Sequence, residues 1–153
     1  MRRKDRERDE GFAYGAIQAC EYASLATVNE DGTPYCIPIS PVVVGRDIYF
    51  HCAVQGKKLD NILRNSAVCL SAVGFSRTLS EKNTVAYESA VASGCCEVVS
   101  DETEKIQALK AVGEKYAGGY RENVENSIAR HIHNTCVCKI VVEEITGKAN
   151  PAQ

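Results

Sequence analysis

Tryptophan is absent from this sequence, methionine occurs once, and histidine occurs only three times. Imidazole chemistry therefore has three possible addresses, His51, His131 and His133. No apolar run approaches the length of a membrane-spanning helix, so no membrane role is expected. The opening residues Met1-Arg2-Arg3-Lys4-Asp5-Arg6-Glu7-Arg8 are charged and lack the apolar region of a signal peptide, which makes a cytoplasmic location the expectation. A formal net charge of −2 leaves no broad cationic surface for nucleic acid. There is no glycine-rich Rossmann fingerprint, so a nucleotide or flavin would not be held that way. Neither an internal repeat nor a linker interrupts the chain, and residues 1–153 are read as one domain.

What is present is an ordinary globular composition, 44% hydrophobic and 25% charged. Eight cysteines stand out, at 20, 36, 52, 69, 95, 96, 136 and 138, but none makes a Cys-x-x-Cys pair. Most fall inside apolar strand-like runs, where a free thiol acts as a small hydrophobe. No metal site is expected; the rival reading is one built on Cys52 and His51 with distant partners.

Hydrophobic periodicity then supplies the elements. A helix is expected over Glu10 to Glu21, and a strand over Tyr22 to Val28 leads into the hairpin turn Asn29-Glu30-Asp31-Gly32. The return strand, Thr33 to Val44, is interrupted by Pro38 and Pro41, which cannot donate to a ladder. Strands are expected at Ala67 to Phe75, at Thr84 to Val99 with a bend near Gly94, and at Thr135 to Thr146, with Ser76 to Asn83 as a loop. Asp101 and Glu104 have capping-box spacing for a helix ending at Gly118-Gly119, and a second helix runs from Arg121 to about Ile132. The pattern is α+β and mainly antiparallel, with about six strands closing a small barrel.

The most informative stretch is Ile48 to Ile62. Ile48, Phe50 and Cys52 share one strand face and Tyr49, His51 and Ala53 the other. Gly56 breaks the strand, and Lys57-Lys58 open a short helix with Leu59, Ile62 and Leu63 as its apolar positions. Two cations at a helix start, beside free backbone amides, suit a phosphate. The spacing is not a Walker loop, since His51 stands where the first glycine belongs. The same lysine pair also reads as a solvated helix face, and His51 as a partly buried histidine satisfied by a carbonyl.

Three blocks bring a resemblance into view: Glu21-Tyr22-Ala23-Ser24-Leu25-Ala26-Thr27-Val28, Asp31-Gly32-Thr33-Pro34 with Pro38 following, and Ile48-Tyr49-Phe50-His51-Cys52-Ala53 leading to Gly56-Lys57-Lys58. Together they resemble the flavin-binding split-barrel family, in the branch of the nitroimidazole-resistance proteins, related to pyridoxamine phosphate oxidases. The tail Ile145 to Asn150 is similar as well. The resemblance implies a six-stranded split β-barrel with flanking helices, a homodimer, and FMN in grooves at the subunit interface. It makes Lys57 and Lys58 the phosphate ligands, where pyridoxamine phosphate oxidases carry Ser-Arg-Lys and this chain has Gly56 in place of the serine. It lays Pro38, Ile39 and Ser40 along the flavin ring, with His51 and Cys52 beside it. His51 is the implied proton donor or flavin contact. The implied function is that of an FMN-dependent oxidoreductase acting on a small molecule such as a nitroaromatic; the alternative is a non-catalytic flavin or heme binder. The missing tryptophan and the lack of an arginine pair for pyridoxal phosphate argue against vitamin B6 oxidation.

Overall fold

A computed structural model describes residues 2–151, and in it the period-two runs of the sequence form one antiparallel sheet. Its strands are β1 (Glu7–Arg8), β2 (Ala23–Val28), β3 (Pro34–Ile39), β4 (Val42–Val44), β5 (Asp47–Ala53), β6 (Ala67–Leu79), β7 (Thr84–Val98) and β8 (Thr135–Asn150). The order along the sheet is β3-β2-β6-β7-β8-β5-β4, and β1 pairs with the far end of β8. The two end strands, β3 and β4, are consecutive in the chain with only Ser40 and Pro41 between them. The sheet therefore has to curl until its edges approach one another. Those edges are not hydrogen-bonded together, so the barrel is split rather than closed.

Among the described residues the count is eight strands rather than six. The expected Thr33–Val44 strand breaks in two at Ser40-Pro41, and the short β1 adds one more. The expected loop at Ser76–Asn83 is mostly strand: β6 continues to Leu79, paired with Thr84, before a 3-10 turn at Ser80–Lys82. Ser76, Arg77 and Thr78 are all exposed there, so no alternation marks the strand until buried Leu79. A β-bulge shifts the β7–β8 register between Ser93 and Gly94, where a Cβ on Gly94 would run into the Val141 carbonyl. Only glycine permits that approach.

Among the described residues four α-helices cover the sheet: α1 (Glu10–Ala19), α2 (Lys57–Arg64), α3 (Glu102–Tyr116) and α4 (Arg121–His131). Asp9 caps α1 by accepting from the Phe12 amide at 2.8 Å, and α1 ends two residues before the expected Glu21. Small side chains bring it close to the sheet, since a Cβ on Gly74 would meet the Ala16 carbonyl oxygen at 2.7 Å. Asp101 caps α3 through the Glu104 amide at 2.7 Å, as the spacing predicts. The main core fills the barrel with Ile17, Leu25, Ile48, Phe50, Leu70 and Ile140, and a smaller one sets Val42, Tyr49 and Val137 beneath Ala108 of α3. β5 and β8 thus bury both faces, each against a different core.

Candidate functional site

The handover from β5 to α2 carries most of the residues that sequence chemistry singles out. Gly56 is the α2 N-cap at φ 143°, a conformation L side chains rarely adopt, and open space surrounds the position of its absent Cβ. No side chain caps the helix, so the first amides of α2 have no partner from an N-cap group. The helix is pinned from below: Leu59, Asn61 and Ile62 are buried, and the Asn61 amide donates to Thr27 Oγ1 and Asn29 Oδ1, both at 3.0 Å. Leu63, expected in the apolar stripe, is 75% exposed, and the buried polar Asn61 takes the inward place.

The two lysines diverge. Lys57 lies over the Tyr35 ring, 4.7 Å from its centroid, toward the β2–β3 hairpin. Lys58 is near enough to His51 and Cys52 to bear on both. His51 sits opposite Val137 on the outer side of β5 and opens onto a cavity of about 430 Å³. Leu109 and Val112 of α3, Val124 and Ile128 of α4, and Ile132 form its apolar wall. The side chain stays exposed on its solvent side; the partial desolvation it meets at the cavity wall, and then the Lys58 ammonium, lower the His51 pKa below the ordinary histidine value. His131 lines the same cavity, whereas His133 falls in the following 3-10 turn.

Pro38, Ile39 and Ser40 lie at the opposite end of the sheet path, on and just after edge strand β3. Pro38 is exposed and Ile39 buries its side chain in the core, so Ile39 has only backbone to offer a ligand. The kink after Ser40 is held by two residues sequence reasoning did not assign to the site. Lys115 Nζ donates to the Pro41 carbonyl at 2.6 Å and to the Ile17 carbonyl at 3.1 Å. Tyr116 Oη donates to Pro41 O at 2.9 Å and to Glu21 O at 3.1 Å. Burial lowers the Lys115 pKa and pushes the Tyr116 phenol up to about 12. A lysine followed by an amphipathic tyrosine near a helix end was the available signal.

The interior side of β5 holds Cys52, directly across from Cys136 of β8. Hydrogen bonding to Cys138, then burial, raises the Cys52 pKa. On the outer side, Tyr49 Oη donates to Glu104 at 2.7 Å, and Lys139 Nζ meets the same carboxylate at 3.1 Å. The hydrogen bond from Tyr49, then that from Lys139, lowers the Glu104 pKa and ties α3 to the sheet.

Against this geometry, the sequence profile of the pyridoxamine 5'-phosphate oxidase family matches residues 16–149. The chain belongs to the pyridoxamine 5'-phosphate oxidase family. No curated protein matches it in sequence. A candidate 5-nitroimidazole antibiotic resistance protein from Bacteroides thetaiotaomicron superposes with a TM-score of 0.75 at 22% identity, over 93% of this chain and 84% of that one. A flavocytochrome from Azotobacter vinelandii gives 0.82 at 19%, over 99% and 72%. An FAD- and heme-binding protein from Mycobacterium smegmatis gives 0.77 at 18%, over 95% and 74%. At these identities the likeness establishes the oxidase-family split-barrel fold. The branch expected from the sequence is among the structures it resembles.

Proposed function

We propose that this family member is an FMN-dependent oxidoreductase that works as a homodimer and passes electrons to small aromatic acceptors, nitroaromatics among them. The observation that carries the reading is Lys58, at the uncapped start of α2, within electrostatic reach of His51, which lines a mostly apolar cavity. The residues present fit a phosphorylated flavin. Gly56 leaves open space, two lysines supply positive charge, and the Lys57 and Lys58 amides, which no side chain caps, supply donors. Lys57 and Lys58 are the phosphate ligands in this reading, and Pro38, Ile39 and Ser40 offer backbone along the ring. Cys52 lies half-buried on the same strand. FMN, when bound, supplies the electron chemistry. The chain would anchor it and present the His51 imidazole to hydrogen-bond the acceptor and hand it a proton. A cavity of about 430 Å³ suits a substituted single-ring or two-ring compound. The likeness to the Bacteroides candidate resistance protein supports the nitroimidazole class.

Exposed apolar residues on the outer face of the sheet support the dimer. Val73, Val91 and Val141 are 52%, 43% and 40% exposed on β6, β7 and β8. A second copy is the occupant we assign to that face. Sedimentation as a dimer at micromolar concentration is expected, and a flavin-loaded monomer would refute it.

A second reading, a non-catalytic flavin or heme binder, takes support from the heme-binding relative. The visible spectrum of purified protein, followed by pyridine-nucleotide oxidation with and without added nitroaromatic, decides between them. Flavin absorption with acceptor-stimulated oxidation is expected. Flavin or heme absorption with no turnover would favour the second reading.

A further inference from the structure

The barrel interior holds a group of thiols to which the flavin reading gives no chemistry, although it counts Cys52 among the residues near the cofactor. Cys52 stands across the ladder from Cys136, and Cys138 lies two residues farther along β8 on the same face. Their three sulfur atoms all lie within 4.8 Å of one another. His51 and Val137 point to the other side of the sheet, so the imidazole takes no part. Cys138 is fully buried, Cys136 nearly so, and Cys52 half-buried, which leaves one way in from the surface.

We propose that Cys52, Cys136 and Cys138 form a three-coordinate thiolate site for a soft monovalent cation, Cu(I). The geometry supports three ligands. Side chains standing off one sheet face bring their sulfurs toward a common plane, and an ion in that plane is met by all three. Sulfurs about 2.3 Å from one centre stand about 4.0 Å apart, so closure takes under about 1 Å of side-chain movement. The donor set supports the ion class. It is sulfur only, and no carboxylate or imidazole joins the group among the described residues. Thiolates select soft ions such as Cu(I), while zinc in structural sites takes four ligands. Cys96, which neighbours Cys138, stands outside the group and so does not supply a fourth.

Three thiolates around one Cu⁺ leave two negative charges on the site. Binding forms three Cu–S bonds and releases the thiol protons to solvent; no electrons move.

The test is anaerobic titration of the full chain with Cu(I) against a chromophoric Cu(I) chelator, with X-ray absorption on the loaded protein. One ion per chain with three sulfurs at about 2.3 Å is expected. Cys136→Ala and Cys52→Ala should each weaken binding by at least about a hundredfold, while Cys36→Ser and Cys69→Ser leave it unchanged. Cys52 is half-buried, so that variant keeps the test valid if Cys136→Ala misfolds. Equal affinity in wild type and Cys52→Ala, loss of binding in Cys36→Ser, or a four-coordinate zinc site holding against Cu(I) would each overturn the proposal. None of these readouts involves flavin, so the site stands or falls apart from the oxidoreductase reading.

Discussion

Replacing Lys115 with Met tests whether the β3–β4 kink is held from above by α3. The ammonium donates to Pro41 O at 2.6 Å and Ile17 O at 3.1 Å, and the Tyr116 hydroxyl reaches the same Pro41 oxygen at 2.9 Å. A hydrogen bond from a charged donor contributes about 1.5–3 kcal/mol, and relief from half-burying the ammonium offsets part of that. Lys115→Met should therefore cost about 2 kcal/mol, and Tyr116→Phe about 1 kcal/mol. For a chain of this size the lysine change lowers Tm by about 4–8 °C. The double variant should lose more than the sum of the two, because Pro41 is buried and its carbonyl would then have no donor. Urea unfolding of the four proteins in the cycle measures this. A Lys115→Met cost below about 0.5 kcal/mol, or strict additivity in the double variant, would refute the clamp.

His51→Ala should lower acceptor turnover per bound flavin by about 100-fold or more while FMN stays bound; steady-state rates normalised to flavin content check this, and wild-type turnover would remove His51 from the chemistry. Glu104→Gln should remove part of the acid-labile stability. The folded pKa of Glu104 lies below its ordinary 4.5, so its contribution is complete above that pH and is lost as pH falls through the folded value. Melting temperatures of wild type and variant should converge as pH drops below about 4.5, and a gap unchanged at low pH would contradict the assignment.

Strand faces up to residue 142 were legible because alternation is the direct product of burial on one side of a pleated sheet. Ile48, Phe50, Cys136, Cys138 and Ile140 face the barrel as the pattern predicts. The pattern then misleads at Ile145, which strict alternation along β8 would put on the face of Val141. The bulge opposite Gly94 inserts one residue into β8, and Ile145 turns inward against the main core with Val142. An odd insertion reverses every later side chain, and nothing in the local sequence of β8 marks it. The kink clamp was hidden for another reason. Lys115 and Tyr116 are 74 and 75 residues from Pro41, and their partners are backbone carbonyls, which carry no sequence signal. The thiol group was hidden likewise, since Cys52 and Cys136 meet only through the β5–β8 register. The lysine pair at α2 was legible because a glycine, two cations and a helix start are consecutive.

The most direct test of the central claim is an equilibrium flavin titration followed by fluorescence quenching, with FMN and with riboflavin, which lacks the phosphate. Charge-assisted bonds to phosphate contribute about 1.5–3 kcal/mol each. The wild-type chain should therefore prefer FMN to riboflavin by at least about tenfold. The Lys57→Ala/Lys58→Ala double variant should lose that preference, with its riboflavin affinity little changed. FMN bound equally well by both proteins, or an FMN-to-riboflavin ratio that survives the double substitution, would contradict the phosphate site at the start of α2.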